Sequence, residues 1–185
     1  IMAELGFRSV EEMVGRADML DVQPAVDHWK ARGLDFSHIL YQPPRKEGVE
    51  IRRTQAQDHG LDHALDHELI RRCEPALERL EPVTFEMAVR NVNRTVGAML
   101  SGKAAQRYGE RGMPPETIHV RFRGSAGQSF GAWLYSGITF ELEGDANDYF
   151  GKGLSGGRLI VYPPRDARFK AEENIIVGNT CFYGA

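Results

Sequence analysis

The 185-residue sequence has few cysteines, little excess charge and no long hydrophobic run, and each shortage excludes a class of protein. Its two cysteines, Cys73 and Cys181, form neither a CxxC motif nor a disulfide framework, which favours a reducing compartment and predicts a cytoplasmic protein. The 23 basic and 26 acidic residues give a net charge of -3, so binding to nucleic acid or an anionic membrane is not expected. No apolar segment approaches the roughly 20 residues of a membrane-spanning helix.

One glycine-rich stretch, GKGLSGGRLIVYPP, has a spacing that dinucleotide-binding loops use, at Gly151, Gly153 and Gly156. Such a loop leads into a helix, because the helix N-terminus binds the pyrophosphate. Here Arg158–Tyr162 follows, and its aliphatic, β-branched and aromatic residues predict a strand. The two prolines after it exclude a long helix. A small nucleotide-binding enzyme is therefore only a minor alternative.

From Ile118 onward the sequence resembles itself at a shift of 20 positions. The predicted strands are Ile118–Phe122, Ile138–Leu142 and Arg158–Tyr162. A period of this length, with one strand and several glycines per unit, is typical of a solenoid in which equivalent residues stack about 4.8 Å apart. The predicted fold is mainly β, a right-handed parallel β-helix of about 20 residues per coil. Val120, Phe140 and Ile160 are expected to stack inside it.

Glycines recur at equivalent points of the repeat and are predicted to lie at corners, where the backbone bends sharply. These structural corner residues are Gly124, Gly131, Gly137, Gly144, Gly151 and Gly157. On the outward side, Arg121 and Arg123 are predicted to face Glu141 and Glu143 across neighbouring strands. Each such pair is expected to stabilise the fold by about 0.2 to 1 kcal/mol.

The segment DHGLDHALDHELI repeats Asp-His-x-Leu at four-residue spacing, which predicts a helix with His59, His63 and His67 along one face. Two histidines one turn apart can hold a divalent metal, so these three are weak candidate ligands. No fourth ligand is recognisable nearby, and a solvated helix face is the favoured interpretation. No metal site is therefore predicted.

Several stretches closely resemble the glycine-repeat β-helix domain at the C-terminus of the glutamate synthase large subunit: GSAGQSFGAW, ELEGDANDYFGKGLSGGRLIVYPP and ENIIVGNTCFYGA. LGFRSVEEMVGRADML and GLDFSHIL resemble the segment that leaves the flavin-binding barrel of that family. The resemblance divides the chain into three parts. Residues 1–40 are the helical exit segment of the flavin domain, and residues 41–82 are a linker and helix. Residues 83–185 are the glycine-repeat β-helix. It implies part of an enzyme that makes two glutamates from glutamine, 2-oxoglutarate and a reductant, in ammonia assimilation.

The resemblance transfers no catalytic or cofactor-binding residue to this chain. The nucleophile of the family is an N-terminal cysteine, whereas this chain begins at Ile1, and the cysteine triplet of its iron–sulfur cluster does not occur here. FMN and the iron–sulfur cluster are therefore implied for the parent enzyme alone, and the chain is expected to be inactive by itself. The implied role is a scaffold that contacts the amidotransferase and flavin domains.

The resemblance leaves some alternatives open. A small reductase subunit or ferredoxin is a further implied partner, and the reductant, NADPH, NADH or ferredoxin, is undecided. A stand-alone protein-binding subunit, similar to the β-helix subunit of formylmethanofuran dehydrogenase, is the alternative function, although it gives no reason for residues 1–40. Because the family's repeats continue beyond the equivalent of Ala185, the solenoid is expected to be truncated and to self-associate through an edge at Asn174–Gly178.

Overall fold

The computed structural model describes residues 1–185, with Ala171 described by its backbone alone. The chain divides into two compact units, Ile1–His59 and Gly60–Ala185. None of the helices in the described chain is both long and apolar enough to cross a membrane.

The first unit is built from short helical turns and has no fully buried side chain. Its elements are α1 (Val10–Met13), a 3-10 helix (Ala17–Met19) and α2 (Gln23–Val26). Ser9 caps the start of α1, because the Glu12 amide donates to Ser9 Oγ at 3.3 Å. Pro24 lies in the first turn of α2, where its missing N–H costs nothing.

The second unit combines three helices with four strands. The helices are α3 (Asp66–Arg72), α4 (Glu74–Arg79) and α5 (Ala98–Tyr108), and two 3-10 helices lie at Gly109–Arg111 and Ala171–Glu173. The strands are β1 (Val83–Val89), β2 (Ile118–Ala126), β3 (Ile138–Ala146) and β4 (Arg158–Tyr162), and they form one parallel sheet in the order β1-β2-β3-β4.

The predicted register holds between β2 and β3 and fails between β3 and β4. Val120 pairs with Phe140, as the shift of 20 positions predicts. Phe140, however, pairs with Leu159, one residue earlier than that shift requires. A one-residue slip moves side chains to the opposite face of a sheet. The prediction that Ile160 stacks inside is therefore wrong: Leu159 and Val161 pack against the core, and Ile160 is 37% exposed on the outer face.

The predicted right-handed parallel β-helix is wrong, because the second unit is a small α/β domain with one four-stranded parallel sheet. Helices share the hydrophobic core with the inner face of that sheet. Leu69 of α3 and Leu100 of α5 lie in the same buried cluster as Phe122 and Phe140. The repeat in the sequence indicates which segments form neighbouring strands, but it does not indicate which elements cover the sheet.

Three phenylalanine rings form the centre of this core, and all three are fully buried. Phe122 lies edge-on to Phe130 and to Phe140, with centroids 5.1 Å and 4.9 Å apart, and Phe130 lies 5.6 Å from Phe140. Edge-to-face pairs stabilise by about 0.5 to 1.5 kcal/mol beyond their burial. The aromatic cluster thus joins β2, β3 and the segment that links them.

The two thiols are expected to differ in reactivity. Cys73 is fully buried, and burial raises its pKa to about 12, whereas Cys181 is exposed. Because the thiolate is the reacting species, a disulfide reagent should modify one thiol per folded chain and two in denaturant. A Cys181→Ser variant, the control, should show no reactive thiol until it unfolds. Rapid modification of both thiols in the folded chain would contradict the burial of Cys73.

Candidate contact surface

The outer face of the sheet carries acidic and basic side chains that alternate from strand to strand. This set, here called the charged face, consists of Glu86 on β1, His119, Arg121 and Arg123 on β2, Glu141 and Glu143 on β3, and Arg158 and Tyr162 on β4. Most of it lines a concavity of ≈ 670 Å³. The charged face is therefore a broad, polar surface.

The predicted cross-strand ion pairs are present on this face. Arg121 Nε lies 3.4 Å from Glu141 Oε2, and Arg123 Nε lies 3.5 Å from Glu143 Oε2. On the other side, Arg123 Nη2 lies 3.6 Å from Glu86 Oε2. The arginine side chains are 51% and 68% exposed, so solvent screens each pair and limits its contribution to about 1 kcal/mol or less.

Glu141 is the centre of a hydrogen-bonded group within the charged face. Tyr162 OH donates to Glu141 Oε1 at 2.6 Å, and His119 Nε2 lies 3.1 Å from Glu141 Oε2. The Tyr162 hydrogen bond is the main cause that lowers the pKa of Glu141, while partial desolvation opposes it and His119 and Arg121 add to it. This carboxylate is held in its ionised form by three neighbours.

Acidification is expected to destabilise the domain partly through Glu141. A lowered pKa in the folded state means that its stabilisation is present above about pH 4.5, the ordinary value, and is lost as the pH falls through the folded pKa. Thermal melts of a Glu141→Gln variant should therefore depend less steeply on pH over the acidic range than wild-type melts. Glu110→Gln, at an exposed position outside the charged face, is the control. If the melting temperatures of wild type and Glu141→Gln depended equally on pH, this role of Glu141 would be refuted.

His119 joins two carboxylates from different parts of the chain. Its Nδ1 lies 3.2 Å from Glu116 Oε2, and its Nε2 faces Glu141. Glu116 in turn accepts from Arg158 Nη1 at 2.8 Å and from Thr139 Oγ1 at 3.0 Å. This chain of contacts ties β2, β3 and β4 together across the outer face.

The six glycines predicted as corners lie in two different settings. Gly124 and Gly144 lie within β2 and β3, directly opposite each other. The other four, Gly131, Gly137, Gly151 and Gly157, lie between successive strands. At Gly131 an added Cβ would lie 2.5 Å from Leu159 Cδ2, so the side chain of β4 occupies the space that a larger residue would need.

Sequence reasoning missed a column of non-glycine residues in left-handed conformation. Ser129, Tyr149 and Thr180 have φ values of 64°, 61° and 60°. Their turns stack on one another, since the Ser129 amide donates to Asp148 O at 2.8 Å and the Tyr149 amide donates to Asn179 O at 2.9 Å. No residue type common to the three positions could have shown this conformation in the sequence.

The three histidines predicted on one helical face do not share a helix. α3 begins at Asp66, so His67 is helical, whereas His59 and His63 precede it and His59 belongs to the first unit. His67 Nε2 lies 3.0 Å from Leu61 O. Within the part of the chain that the structure describes, no three metal-ligating side chains come together.

Asp66, which the sequence showed only as one of three Asp-His pairs, is a buried carboxylate at the N-terminus of α5. Its Oδ2 accepts from the Gly97 amide at 2.9 Å, and its Oδ1 accepts from the Met99 and Leu100 amides at 2.9 Å and 3.0 Å. Burial raises the pKa of Asp66, whereas the three N–H donors act in the opposite direction. Asp66 thus links α3 to the start of α5.

A second exposed surface is aromatic and carries one cation. Lys152 Nζ lies 5.6 Å from the Trp133 ring centroid and 5.5 Å from that of Tyr149. Trp133 is 49% exposed, and Tyr183, whose ring is edge-on to Tyr149, is 63% exposed. Large aromatic side chains that are left in solvent are enriched at protein–protein contacts.

Comparison with known proteins shows the family to which the chain belongs. The GXGXG motif family matches residues 66–185. The chain is 50% identical over 187 residues to glutamate synthase [NADH] of Saccharomyces cerevisiae, covering all of this chain and 9% of that protein. It is 43% identical over 186 residues to the glutamate synthase [NADPH] large chain of Bacillus subtilis, covering all of this chain and 12% of that protein.

Similarity extends to a third kind of glutamate synthase. The chain is 37% identical over 191 residues to the chloroplastic ferredoxin-dependent glutamate synthase of Spinacia oleracea, covering all of this chain and 11% of that protein. The chain thus spans only 9 to 12% of the length of these three relatives. It belongs to the GXGXG motif family, and its whole length is similar to part of the glutamate synthases.

Proposed function

We propose that this chain is a non-catalytic, structural and interdomain-contact part of a glutamate synthase. The parent enzyme makes two glutamates from glutamine, 2-oxoglutarate and a reductant, and thereby assimilates ammonia in the cytoplasm. FMN and the iron–sulfur cluster are bound by residues outside these 185. The similarity to NADH-, NADPH- and ferredoxin-named relatives supports the enzyme class and does not distinguish among the three reductants.

The proposal assigns a part to each segment. Residues 1–40 leave the flavin domain, residues 41–82 form a linker and helix, and residues 83–185 form the glycine-repeat part, which contacts the amidotransferase and flavin domains. The alignment with glutamate synthases includes residues 1–40, which favours this reading over a stand-alone protein-binding subunit. A reductase subunit or ferredoxin is the further partner of the assembled enzyme.

The pairing on the charged face is the observation that carries the proposal. Glu141 is held by Tyr162, His119 and Arg121, whereas a catalytic base must be free to reach a proton of its substrate. Arg121 and Arg123 nevertheless keep half or more of their side chains in solvent and retain donors for a further partner. Such a surface is suited to fixing the orientation of a neighbouring domain.

A chimeric enzyme tests this function. The matching segment of the Bacillus subtilis glutamate synthase [NADPH] large chain, 43% identical to this chain, would be replaced by it. The chimera should form glutamate, whereas the isolated chain should form none and show no flavin absorbance. Turnover or stoichiometric flavin in the isolated chain would refute the proposal.

Removing one charge separates contact from folding. Arg123→Gln should lower the yield of assembled, flavin-loaded chimera while changing the melting temperature of the isolated chain little, because Arg123 is 68% exposed and its ion pairs are screened by solvent. Lys103→Gln, at an exposed position on α5, is the matched control and should leave assembly unchanged. Equal assembly of the two variants would argue against the charged face as the contact surface.

A further inference from the structure

The loop of residues 90–95 joins β1 to α5, at the side of the sheet opposite to β4. Its first four residues form a turn that is closed twice. The Asn93 amide donates to Arg90 O at 2.8 Å, and the Arg90 amide donates to Asn93 Oδ1 at 2.8 Å. Val92, inside this turn, is 80% exposed. The turn is therefore fixed without any contact from the side chains of Arg90 and Val92.

The rest of the second unit anchors this loop through backbone and amide groups. Asn93 O accepts from the Gly127 amide at 3.1 Å, and Asn147 Nδ2 donates to Asn91 Oδ1 at 3.1 Å. An added Cβ at Gly127 would lie 2.5 Å from Asn93 O, so the two backbones approach closely. These contacts join the loop to the segments that follow β2 and β3. A loop held in this way loses little conformational entropy when a partner binds to it.

Two exposed arginines of this loop have hydrogen-bond donors that the chain does not use. Within the part of the chain that the structure describes, the Arg90 guanidinium makes no hydrogen bond, ion pair or ring contact. Arg94 donates from Nη2 to Gln128 Oε1, and a guanidinium has further N–H donors. The loop therefore offers unused charged donors on both sides of Val92 in the sequence.

The loop lies in a stretch of sequence that carries charge of one sign. Between Glu86 and Glu110 there is no acidic residue. The same stretch has four basic residues, Arg90, Arg94, Lys103 and Arg107. The net charge of the whole chain is -3, so a polyanion such as nucleic acid is a poor match, whereas a protein surface with a few carboxylates complements the loop locally.

We propose that residues 90–94 form a second contact point, outside the charged face, for a neighbouring domain of the parent enzyme. That domain places carboxylates against Arg90 and Arg94 and covers Val92. The inference rests on the proposed function, since the partner surface belongs to the same enzyme. Arginine is enriched at protein contacts, and its planar group can bind a carboxylate through two parallel hydrogen bonds. Val92 adds apolar area that leaves water when the domain binds.

Photo-cross-linking in the chimera tests the contact. Val92→benzoylphenylalanine carries the photoreactive group into the loop, and Lys103→benzoylphenylalanine, at an exposed position on α5, is the matched control. The variant at Val92 should cross-link to an acidic segment outside these 185 residues, and the variant at Lys103 should not. Cross-links confined to the 185 residues, or equal cross-linking by the two variants, would overturn the contact.

Removal of the two charges tests the chemistry of the partner. The double variant Arg90→Gln/Arg94→Gln should lower the fraction of flavin-loaded chimera by about twofold to thirtyfold at low salt, the effect of losing two exposed ion pairs. Arg90→Lys/Arg94→Lys should give an intermediate fraction, because lysine keeps the charge without the planar group. The differences should shrink at high salt, which screens exposed charges. Circular dichroism checks that each variant keeps its fold.

Lys103→Gln is the control for the loss of charge and should assemble like the unsubstituted chimera. A double glutamine variant that assembles as well as Lys103→Gln at low salt would refute an acidic partner surface. Glutamate formation by the unsubstituted chimera remains the test of the proposed function. If that chimera is active and the variant at Val92 gives no cross-link outside the segment, the inference is wrong and the proposed function stands. If the chimera assembles but is inactive, the proposed function is contradicted, and cross-linking still decides the contact.

Discussion

Replacement of Gly144 by alanine is expected to destabilise the second unit by about 3 kcal/mol or more. Gly144 lies in β3 with a φ of 151°, directly opposite Gly124 of β2. An added Cβ would collide with the Gly124 carbonyl oxygen, which is rigid backbone of the neighbouring strand. Backbone strain and overpacking each cost about 1 to 3 kcal/mol, and both apply at this position.

The same substitution at Gly102 is the matched control, and its effect should have the opposite sign. Gly102 lies inside α5, and an added Cβ there meets no atom within 4 Å. Alanine in the interior of a helix is more stable than glycine by about 0.5 to 1 kcal/mol. Denaturant unfolding at equal protein concentration measures both variants. If Gly144→Ala and Gly102→Ala changed the free energy of unfolding equally, the close approach of Gly124 and Gly144 would not exclude a side chain at Gly144.

The residues of β2 and β3 that lie opposite each other could be predicted from the sequence, because apolar and polar side chains alternate along both strands. Apolar residues two apart fix which face of a strand is buried, and the repeat fixes which residues lie opposite. For this reason the Arg121–Glu141 and Arg123–Glu143 pairs could be predicted before the structure was known. These two ion pairs of the charged face were therefore predictable from periodicity alone.

The rest of the charged face depends on the one-residue slip between β3 and β4. In the predicted register, Tyr162 would lie opposite Leu142, on the buried side of the sheet. In the structure it lies opposite Glu143 on the outer face, and its hydroxyl reaches Glu141. The slip lies just before β4, because Tyr135 still bridges Ser155 at the shift of 20, whereas Thr139 pairs with Arg158 at a shift of 19. The sequence repeat, which aligns Gly137 with Gly157, continues through this point without a break. The group of residues around Glu141 could thus not be predicted.

Truncation of Asp66 to alanine is expected to cost about 3 to 5 kcal/mol of unfolding free energy, since each buried N–H without an acceptor costs about 1 to 3 kcal/mol. Three amides lose their acceptor at once, those of Gly97, Met99 and Leu100. These amides form the N-terminus of α5, where a carboxylate also interacts favourably with the helix dipole. Sequence reasoning could not single out Asp66, because its partners lie more than 30 positions away.

Two further variants distinguish the loss of the acceptor from a general effect of removing an aspartate. Asp62→Ala, an exposed aspartate of the same Asp-His repeat, should change stability by less than about 0.5 kcal/mol. Asp66→Asn keeps the size and one acceptor oxygen, so its stability should lie between those of wild type and Asp66→Ala. Hydrogen exchange at the Met99 and Leu100 amides should accelerate in the same order, because these N–H groups lose their acceptor locally. If Asp66→Ala were as stable as Asp62→Ala, the buried carboxylate would not hold α5 in place.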